Sequence, residues 1–551
     1  CSGCMTDYVE LHAHSYFSLL DGASPPEELL RRARELGMDT LALTDHDAVY
    51  GAVPFVKAAR ELGIRPILGA EMTLEGNPKS HHLTLLVEDA RGWANLCQLI
   101  TSARHNAPKG EALLPADALD GHTDGLIVLS GCRLGEIASA LRRDDPQAAL
   151  HAAQRYRDLF GRDHFYIELQ HHLLPHDDRL NADLATLAER IGVPCVATNN
   201  VHYARRESSR LQDVLVCIRH LTPLEDAASL CRPNSEYHLK SADEMGALFA
   251  AYPDAIPNTR HVAERCTFDL AFGLQELPTF PAPEGMSAYA YLESLCREGL
   301  AWRRIDPSEA VLRQLEYELG VIARSGLANY FLIVWDIVRY ARVRGILCQG
   351  RGSAANSLVA YLLSISPVNP LDHDLVFERF LSDERQVVPD IDIDFQADRR
   401  EEVIQYVYER YRHDHAAMAC TFVTFRARSA IRDVGKVLGL PPEVLDRASR
   451  TIDTFKSGNI AEVGDLDTIF GSRTTFNQLS QIADQIDGFP RHLGIHNGGM
   501  IVMGAPLASR LPTEPATMPE RYVVQWDKDG IEDAGLVKID ILGLRMLSAI
   551  A

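Results

Sequence analysis

Residues 389 to 395 read Pro389-Asp390-Ile391-Asp392-Ile393-Asp394-Phe395, an alternation of carboxylates with apolar side chains. Because alternate residues of a β-strand share one face, Asp390, Asp392 and Asp394 would project together at intervals of about 7 Å. Carboxylates placed side by side repel one another unless cations neutralise them. The alternation therefore predicts a strand at a divalent-cation site, and two Mg²⁺ ions about 4 Å apart are the usual solution.

Two further segments supply groups that such a site needs. Val537-Lys538-Ile539-Asp540-Ile541-Leu542 predicts a second buried strand, whose Asp540 is a third carboxylate and whose Lys538 could neutralise a phosphate oxygen. Gly350-Arg351-Gly352-Ser353 follows a predicted strand at residues 345 to 348 and opens a helix near Ala354, where bare backbone and free amides attract phosphate. For residues 537–542 the alternative is an exposed strand with solvated charges, which the flanking isoleucine and valine residues disfavour. For residues 350–353 the alternative is a tight turn.

The first 200 residues alternate short apolar strands with helices. Strands are predicted at residues 8–11, 40–44, 66–70, 83–87, 126–129, 165–169 and 195–198. Ser24 and Glu27 predict a capping box for a helix that ends at Gly37. Repeated β/α units of this kind predict an α/β fold with a parallel barrel or a doubly wound sheet. The proline-rich stretch at residues 278–283 is expected to mark a domain boundary.

Side chains that bind metals occur where these strands end. A β/α barrel places its active site at the C-terminal ends of its strands. Imidazole, carboxylate and thiolate groups that converge there could hold two or three first-row metals such as zinc or manganese. A single histidine is better interpreted as polar surface, but here the coincidence recurs at strand after strand. The residues are His12, His14, His46, Glu71, Cys132 and His202.

Composition restricts the class of protein. The 551 residues are 46% hydrophobic, which provides for two to four domains, and 55 basic against 76 acidic residues argue against a protein that coats nucleic acid non-specifically. Eleven scattered cysteines predict reduced thiols, and Cys1 and Cys4 are interpreted as an incidental leader before Met5. No apolar run reaches the length that crosses a bilayer and no secretory signal is evident, so a cytoplasmic location is expected.

The N-terminal motifs resemble the PHP (polymerase and histidinol phosphatase) family. The resemblance rests on His12-x-His14 with Asp21, on Thr44-Asp45-His46 and on Gly69-Ala70-Glu71. It implies metal ligands at His12, His14, Asp21, His46, Glu71, His82, Cys132 and His202. The family usually has an aspartate where this chain has Asn200. An amide oxygen can ligate a metal but brings no negative charge, so one metal is expected to be held less tightly. The PHP half is therefore expected to have weak or no 3′→5′ exonuclease activity.

The second half resembles the catalytic alpha subunit of bacterial DNA polymerase III, and the resemblance extends over essentially the whole chain. It rests on residues 350–353, 377–381, 389–395, 431–435 and 535–544. It implies a PHP (β/α) barrel followed by a mixed α+β palm related to polymerase beta, with an inserted helical thumb. It also implies Asp390, Asp392 and Asp540 as catalytic carboxylates, a choice among the three neighbouring aspartates that strand geometry alone left open. The implied nucleotide contacts are Gly352, Ser353, Arg379, Arg385 and Lys538.

The same resemblance predicts the domains and the partners. The expected domains are the PHP domain at residues 1–275, the palm at 276–424 and 500–551, and the thumb at 425–499. Expected partners are primer-template DNA, dNTPs, and a sliding clamp and accessory mutagenesis or replisome proteins, with no membrane. Because fingers and C-terminal regions are absent, the chain alone is expected to extend primers poorly. The predicted DNA contacts are Arg426, Arg428, Arg432, Lys436 and His496, although a solvated basic face remains possible for the first four.

Within the family, several segments look more like the error-prone, damage-tolerant branch than the main replicative subunit. These are residues 20–29, 277–281, 490–499 and 523–528. The expected function is therefore error-prone translesion or repair synthesis with Mg²⁺ in the palm and Zn²⁺ or Mn²⁺ in the PHP domain. The alternatives are the replicative subunit, a PHP-type phosphoesterase or 3′→5′ exonuclease with a non-catalytic second half, and a PHP half that is a metal-stabilised structural brace.

Overall fold

A computed structural model describes residues 8–76, 79–115, 117–270, 277–381, 391–451, 470 and 473–551. The chain divides into two compact units, and each is interrupted in sequence. The first unit comprises Cys1–Leu270 and Phe422–Gly494, and the second comprises Ala271–Thr421 and Ile495–Ala551. No single helix of the described residues is long and apolar enough to span a membrane, although the bent pair Glu309–Arg324 and Ala328–Val343 passes by length and composition.

The first unit is built on a curled six-stranded sheet in which sequential strands are neighbours. Its strands are β1 (Thr40–Leu43), β2 (Arg65–Leu74), β3 (His81–Val87), β4 (Leu126–Leu129), β5 (Phe165–Gln170) and β6 (Cys195–Thr198). The predicted strand at residues 8–11 is reduced to isolated bridges. Glu10 bridges to Leu41 beside β1, and Ala13 bridges to Val201 after β6, so this segment joins the two edges of the sheet into a barrel.

The barrel is not wholly parallel, contrary to the prediction. Strand β3 runs antiparallel to both β2 and β4, whereas the other neighbouring pairs are parallel. The physical reason is that only a short loop joins β2 to β3, and a parallel connection needs a crossover of about a dozen residues or more. The reversal brings the start of β3, with His82, to the barrel end where the parallel strands finish.

Helices surround this barrel. They are α1 (Pro26–Glu35), α2 (Ala52–Leu62), α3 (Ala90–His105), α4 (Glu136–Arg142), α5 (Pro146–Phe160), α6 (Asp177–Ile191), α7 (Ser209–His220), α8 (Ala242–Leu248) and α9 (Pro257–Arg265). The capping box predicted at Ser24 is wrong. Pro25 is the N-cap of α1 and makes no side-chain cap bond, because the Ser24 hydroxyl accepts a hydrogen bond from Ala204 N instead, at 3.0 Å.

In the second unit three helices precede the sheet: α10 (Ala288–Arg303), α11 (Glu309–Arg324) and α12 (Ala328–Val343). Strand β7 (Cys348–Arg351) comes three residues later than predicted, and a 3₁₀ turn at Gly352–Asn356 separates it from helix α13 (Leu358–Leu362). The helix therefore opens at Leu358 rather than at Ala354. The reason is that Gly352 adopts a left-handed conformation with φ of 69°, which breaks the chain direction after the strand.

The remaining elements complete a seven-stranded mixed sheet. They are β8 (Asp392–Gln396), α14 (Arg400–Tyr411), β9 (Ala416–Thr424), α15 (Ala427–Val437), α16 (Pro442–Thr451), α17 (Arg473–Ile486), β10 (Pro490–Val502), β11 (Thr513–Pro515), β12 (Tyr522–Asp527), α18 (Lys528–Asp533), β13 (Lys538–Leu544) and α19 (Arg545–Ile550). The strand order is β11-β12-β9-β10-β13-β8-β7. Strands β13 and β8 are neighbours in this order, which matters for the site described below.

The helical insertion α15–α17 belongs to the first unit. Its buried face shares one apolar core with α7, to which Leu211, Leu215, Ile431, Val434 and Leu479 all contribute. A helical segment extending to residue 499 was predicted, and this is wrong, because the last described helix of the insertion ends at Ile486 and β10 begins at Pro490. Gly498 and Gly499 are therefore strand residues, and Gly499 pairs with Asp540 of β13.

Candidate metal centre and catalytic face

The centre of the barrel site is Glu71, which is buried within β2. Histidine nitrogens approach its carboxylate from several sides: His46 Nδ1 at 2.9 Å, His82 Nδ1 at 3.0 Å, His12 Nε2 at 3.3 Å and His14 Nε2 at 3.7 Å. Neither carboxylate oxygen nevertheless has an aligned hydrogen bond. Buried polar atoms without such partners are costly. Nitrogen and oxygen donors in this arrangement fit a carboxylate that bridges metal ions.

The donors form three overlapping groups, in each of which the ligand atoms lie within 4.8 Å of one another. Two groups share the Glu71 carboxylate, and a third consists of histidines alone. Imidazole with carboxylate is a donor set that suits zinc and manganese. The residues present therefore fit a transition-metal cluster. The groups are His12–His14–Glu71, His46–Glu71–His82 and His14–His46–His202.

The remaining predicted ligands lie beside these groups. Asp21 Oδ2 is 3.2 Å from His46 Nε2 and 3.6 Å from His202 Nε2, and Cys132 Sγ is 3.5 Å from His82 Nδ1. Asn200 adopts a left-handed backbone with φ of 45°, and its Oδ1 is buried without a hydrogen-bond partner. Together with Glu71, these residues line one cavity of about 640 Å³. The structure thus brings the predicted barrel residues to one end of the barrel.

Glu71 and the histidines around it shift one another's pKa in opposite directions. Burial would raise the pKa of Glu71, but His82 and His12 hold it well below its usual range, so the side chain stays anionic. Burial and the adjacent His46 and His202 lower the pKa of His14 well below its ordinary value, which keeps its ring neutral. Burial would lower the pKa of His12 and of His82, but Glu168 and Glu71 raise the first and Glu71 raises the second well above the ordinary value. Because a neutral imidazole and an ionised carboxylate are the forms that bind metals, a metal here would displace protons from these two rings.

Two residues at this site were missed in the sequence. Glu168 in β5 accepts a hydrogen bond from His12 Nδ1 at 2.7 Å and therefore orients that ring, as carboxylates commonly do for metal-binding histidines. A lone carboxylate inside the apolar strand 165–169 was the available signal. Arg232, whose Nη1 lies 2.8 Å from Asp21 Oδ1, comes from an irregular loop that carries no such signal.

The second unit presents a row of four residues across four adjacent strands. Asp392 of β8 is the parallel register partner of Asp540 in β13. Arg351 of β7 lies opposite Asp392, and Gly499 of β10 lies opposite Asp540. Register partners project to the same face of a sheet, so both predicted carboxylates share one face. We call Arg351, Asp392, Asp540 and Gly499 the catalytic row, after the role that is proposed for its carboxylates below.

Cations already surround these carboxylates. Arg351 reaches Asp392 at 3.6 Å and Asp394 at 3.5 Å, and Lys538 forms an ion pair with Asp540. Asp540 Oδ1 is nevertheless buried without a hydrogen bond. Gly499 explains how the row packs, because a Cβ at this position would lie 3.1 Å from that oxygen. Carboxylates clustered with one unsatisfied oxygen fit a divalent-cation site.

Five other palm residues were predicted to bind metal or nucleotide. Asp390 and Arg385 lie outside the described residues. Gly352 and Ser353 form the turn after β7, and Arg379 is exposed in a 3₁₀ turn at Phe377–Arg379. Their nucleotide contacts stay predictions.

A buried carboxylate that sequence reasoning missed fixes the segment after this turn. Glu318 of α11 accepts hydrogen bonds from Leu358 N at 3.0 Å, Val359 N at 3.1 Å and the Ser357 hydroxyl at 2.9 Å. These groups form the start of α13, so Glu318 positions the segment that follows Gly352 and Ser353. Its place on an amphipathic helix was the only signal, and such a position is usually ordinary core.

The predicted DNA contacts separate into two places. Arg428, Arg432 and Lys436 follow one another on α15 at intervals of four residues, directly after Arg426. Arg432 is partly neutralised by Asp446 at 2.9 Å. His496 lies on β10 rather than on a helix, and its Nδ1 is 4.0 Å from Asp540 Oδ1. His496 is therefore a neighbour of the catalytic row.

Comparisons with known proteins identify a domain in each half of the chain. Residues 290–543 match the bacterial DNA polymerase III alpha NTPase domain, and residues 10–172 match the PHP domain. An error-prone DNA polymerase from Symbiobacterium thermophilum is 44% identical over 565 residues, which cover 98% of this chain and 52% of that protein. One from Mycobacterium bovis is 43% identical over 559 residues, covering 100% of this chain and 50% of that protein.

The chain spans about half the length of the curated relatives it matches. Among solved structures, an amidohydrolase from Chromobacterium violaceum aligns with 35% of this chain and 87% of its own, at 18% identity and a TM-score of 0.23. That likeness is too weak to place any residue.

Proposed function

Because the chain belongs to the bacterial DNA polymerase III alpha family, we propose that it supplies the palm of a DNA-directed DNA polymerase that performs error-prone translesion or repair synthesis. The observation that carries the proposal is the register pairing of Asp392 with Asp540 on one face of the sheet. The similarity to error-prone polymerases over nearly the full chain supports the branch. The replicative role is the alternative within the family.

In this proposal Asp390, Asp392 and Asp540 hold two Mg²⁺ ions, which would activate the primer 3′-hydroxyl and stabilise the leaving pyrophosphate. The 3′-oxygen attacks the α-phosphorus of the dNTP, the new P–O bond forms, and the bond to pyrophosphate breaks. Arg351, next to the carboxylates, and Lys538 provide positive charge for phosphate oxygens. Arg379, Arg385, Gly352 and Ser353 are proposed to contact the same nucleotide.

The test is primer extension by a polypeptide that contains this chain and spans the relatives' full length. Asp392→Asn should abolish extension while the protein stays folded, because it removes a metal ligand and also relieves carboxylate repulsion. Asp398→Asn is a matched control, since Asp398 is exposed in the turn after β8. Extension that survives in Asp392→Asn, or fails equally in Asp398→Asn, would refute the assignment.

We also propose that the barrel centre binds Zn²⁺ or Mn²⁺. The unsatisfied Glu71 oxygens among four histidine nitrogens support this. Asn200 contributes a neutral amide oxygen, so the centre is proposed to have weak or no 3′→5′ exonuclease activity. Should the second half prove inactive in extension, this centre would favour the phosphoesterase alternative, and a metal-loaded but inert centre would favour the structural brace.

The proposed partners are primer-template DNA and dNTPs. Arg426, Arg428, Arg432 and Lys436 are proposed to contact phosphates of the duplex, supported by their spacing on α15. His496 is proposed to contact the primer-template near the catalytic row. A sliding clamp and accessory mutagenesis or replisome proteins are proposed partners of the longer protein, which we place in the cytoplasm.

A further inference from the structure

Arg232 forms an ion pair with Asp21, one of the proposed metal ligands. Its Nη1 lies 2.8 Å from Asp21 Oδ1 and its Nη2 lies 3.5 Å from Asp21 Oδ2. Gln212 Nε2 donates a second hydrogen bond to the same Oδ1, at 2.9 Å. One oxygen of the carboxylate is therefore committed to two protein donors.

The guanidinium is held in place by the loop that carries it. Its side chain is 18% exposed and lies over the ring of Tyr237, with 5.2 Å to the centroid. The loop is anchored beside the barrel end: Asn199 Nδ2 donates to the carbonyls of Glu236 and His238, at 2.8 and 2.7 Å. Arg232 is thus a fixed part of the site, and removing it from Asp21 would require moving this loop.

Asp21 is the carboxylate that approaches the all-histidine group His14–His46–His202. An anion near three imidazoles adds electrostatic attraction for a divalent ion, so an ion there would be held more tightly by the charge of Asp21. The guanidinium neutralises that charge and would repel a dication a few ångströms away. Arginine also keeps its proton under all ordinary conditions, so it cannot yield to the metal by deprotonation.

The two groups that share Glu71 are different. In the described part of the chain, the ion pairs recorded for Glu71 all involve histidine. A carboxylate shared by two donor groups suits a pair of metal ions. The two parts of the centre therefore differ in electrostatics although their ligand types are alike.

We propose that the Arg232 guanidinium takes the place of a third metal ion beside Asp21, so that the barrel centre binds two metal ions and not three. This inference rests on the proposed metal centre. Arg232 is a positioning and charge-compensating residue here, and it sets the metal content of the site.

The test measures metal stoichiometry and needs no enzymatic activity. Chelator-stripped protein is dialysed against increasing Mn²⁺, and bound metal is counted by elemental analysis, with circular dichroism to verify folding. Every protein in the series carries Asp392→Asn and Asp540→Asn, so that the proposed palm site does not add to the count, and we expect two equivalents for this parent. Arg232→Gln should gain a third equivalent, or bind the weakest ion at least about tenfold more tightly, because it removes the nearer of the two guanidinium groups that compensate the charge of Asp21, the other being that of Arg219 at 4.0 Å. Arg232→Lys, which keeps the cation, should stay at two.

Arg142→Gln is the matched control, because Arg142 lines the same cavity and contacts the Arg133 carbonyl instead of Asp21. It should bind as the parent does. Three equivalents in the parent, or an unchanged count and affinity in folded Arg232→Gln, would overturn the role of Arg232 alone. No metal in any variant would overturn the metal centre and this inference with it. If Arg232→Gln does not fold, the parent stoichiometry at saturating Mn²⁺ still tests the proposal, because two equivalents support it and three contradict it.

Discussion

Adjacent glycines on β10 should respond in opposite ways to the same substitution. A Cβ at Gly499 would lie 3.1 Å from Asp540 Oδ1, 3.0 Å from His496 Nδ1 and 2.8 Å from Lys538 Cδ. A Cβ at Gly498, on the other face of the strand, would lie 2.4 Å from Leu542 Cδ2 and 3.0 Å from the carbonyl oxygen of Ile541. Alanine at Gly499 therefore crowds the catalytic row, and alanine at Gly498 crowds the half-buried side chain of Leu542 and the backbone of Ile541.

The magnitudes follow from these distances. In Gly499→Ala the Lys538 stem can swing away, but Asp540 must retreat by a few tenths of an ångström. Since a misplacement of about 1 Å can cost about 100-fold in rate, we expect a loss of about tenfold in kcat. The unfolding free energy should change by less than about 1 kcal/mol, because alanine also reduces the entropy of the unfolded chain. Gly498→Ala should instead lose about 1–3 kcal/mol through overpacking.

The assay combines single-turnover primer extension with urea unfolding, in a polypeptide that contains this chain and spans the relatives' full length. Rates are normalised to the folded fraction of each protein. Gly499→Ala should be slow and stable, and Gly498→Ala should be unstable with a near-normal rate per folded molecule. If Gly499→Ala extends primers like the parent, or if the two variants lose rate in parallel, the placement of Asp540 in the active site is wrong.

Three further outcomes are expected. Asn200→Asp should bind one metal more tightly and degrade mismatched primers faster than the parent, since it adds an anionic ligand; equal metal content and equal degradation would contradict this. Chelation should lower the melting temperature of the chain and added Zn²⁺ or Mn²⁺ should restore it, and an unchanged melting curve would exclude a bound stabilising metal. Glu318→Ala should cost about 3 kcal/mol of unfolding free energy because it strands buried donors of α13, whereas Glu316→Ala, exposed on the same helix, should cost little.

Elements with a strong local pattern were predictable from the sequence. Strands β4 and β6 have the predicted bounds, and Gly37 and Gly63 follow α1 and α2 with the left-handed conformation expected at a helix end. The convergence of Glu71 with His12 and His46 also followed from where strands end, whereas His82, at the start of the reversed β3, was expected only from the family resemblance. Such features depend on periodicity and on the geometry of a β/α unit.

Features that depend on tertiary partners were not predictable. Ser24 looked like a helix cap, but Ala204, 180 residues away, competes for its hydroxyl. The reversal of β3 depends on pairing with two other strands, and the contact of Arg232 with Asp21 spans 211 residues. No local pattern encodes partners at that separation, because only the folded chain brings them together.

The core that α7 shares with α15–α17 has a consequence for biosynthesis. A ribosome releases α7 more than 200 residues before α17 (Arg473–Ile486). At roughly 5–20 residues per second, the apolar face of α7 would wait on the order of tens of seconds for its covering helices. Through that interval the nascent chain exposes a hydrophobic surface to which chaperones can bind. A translational pause between α7 and α17 would prolong this exposure and so favour aggregation over folding.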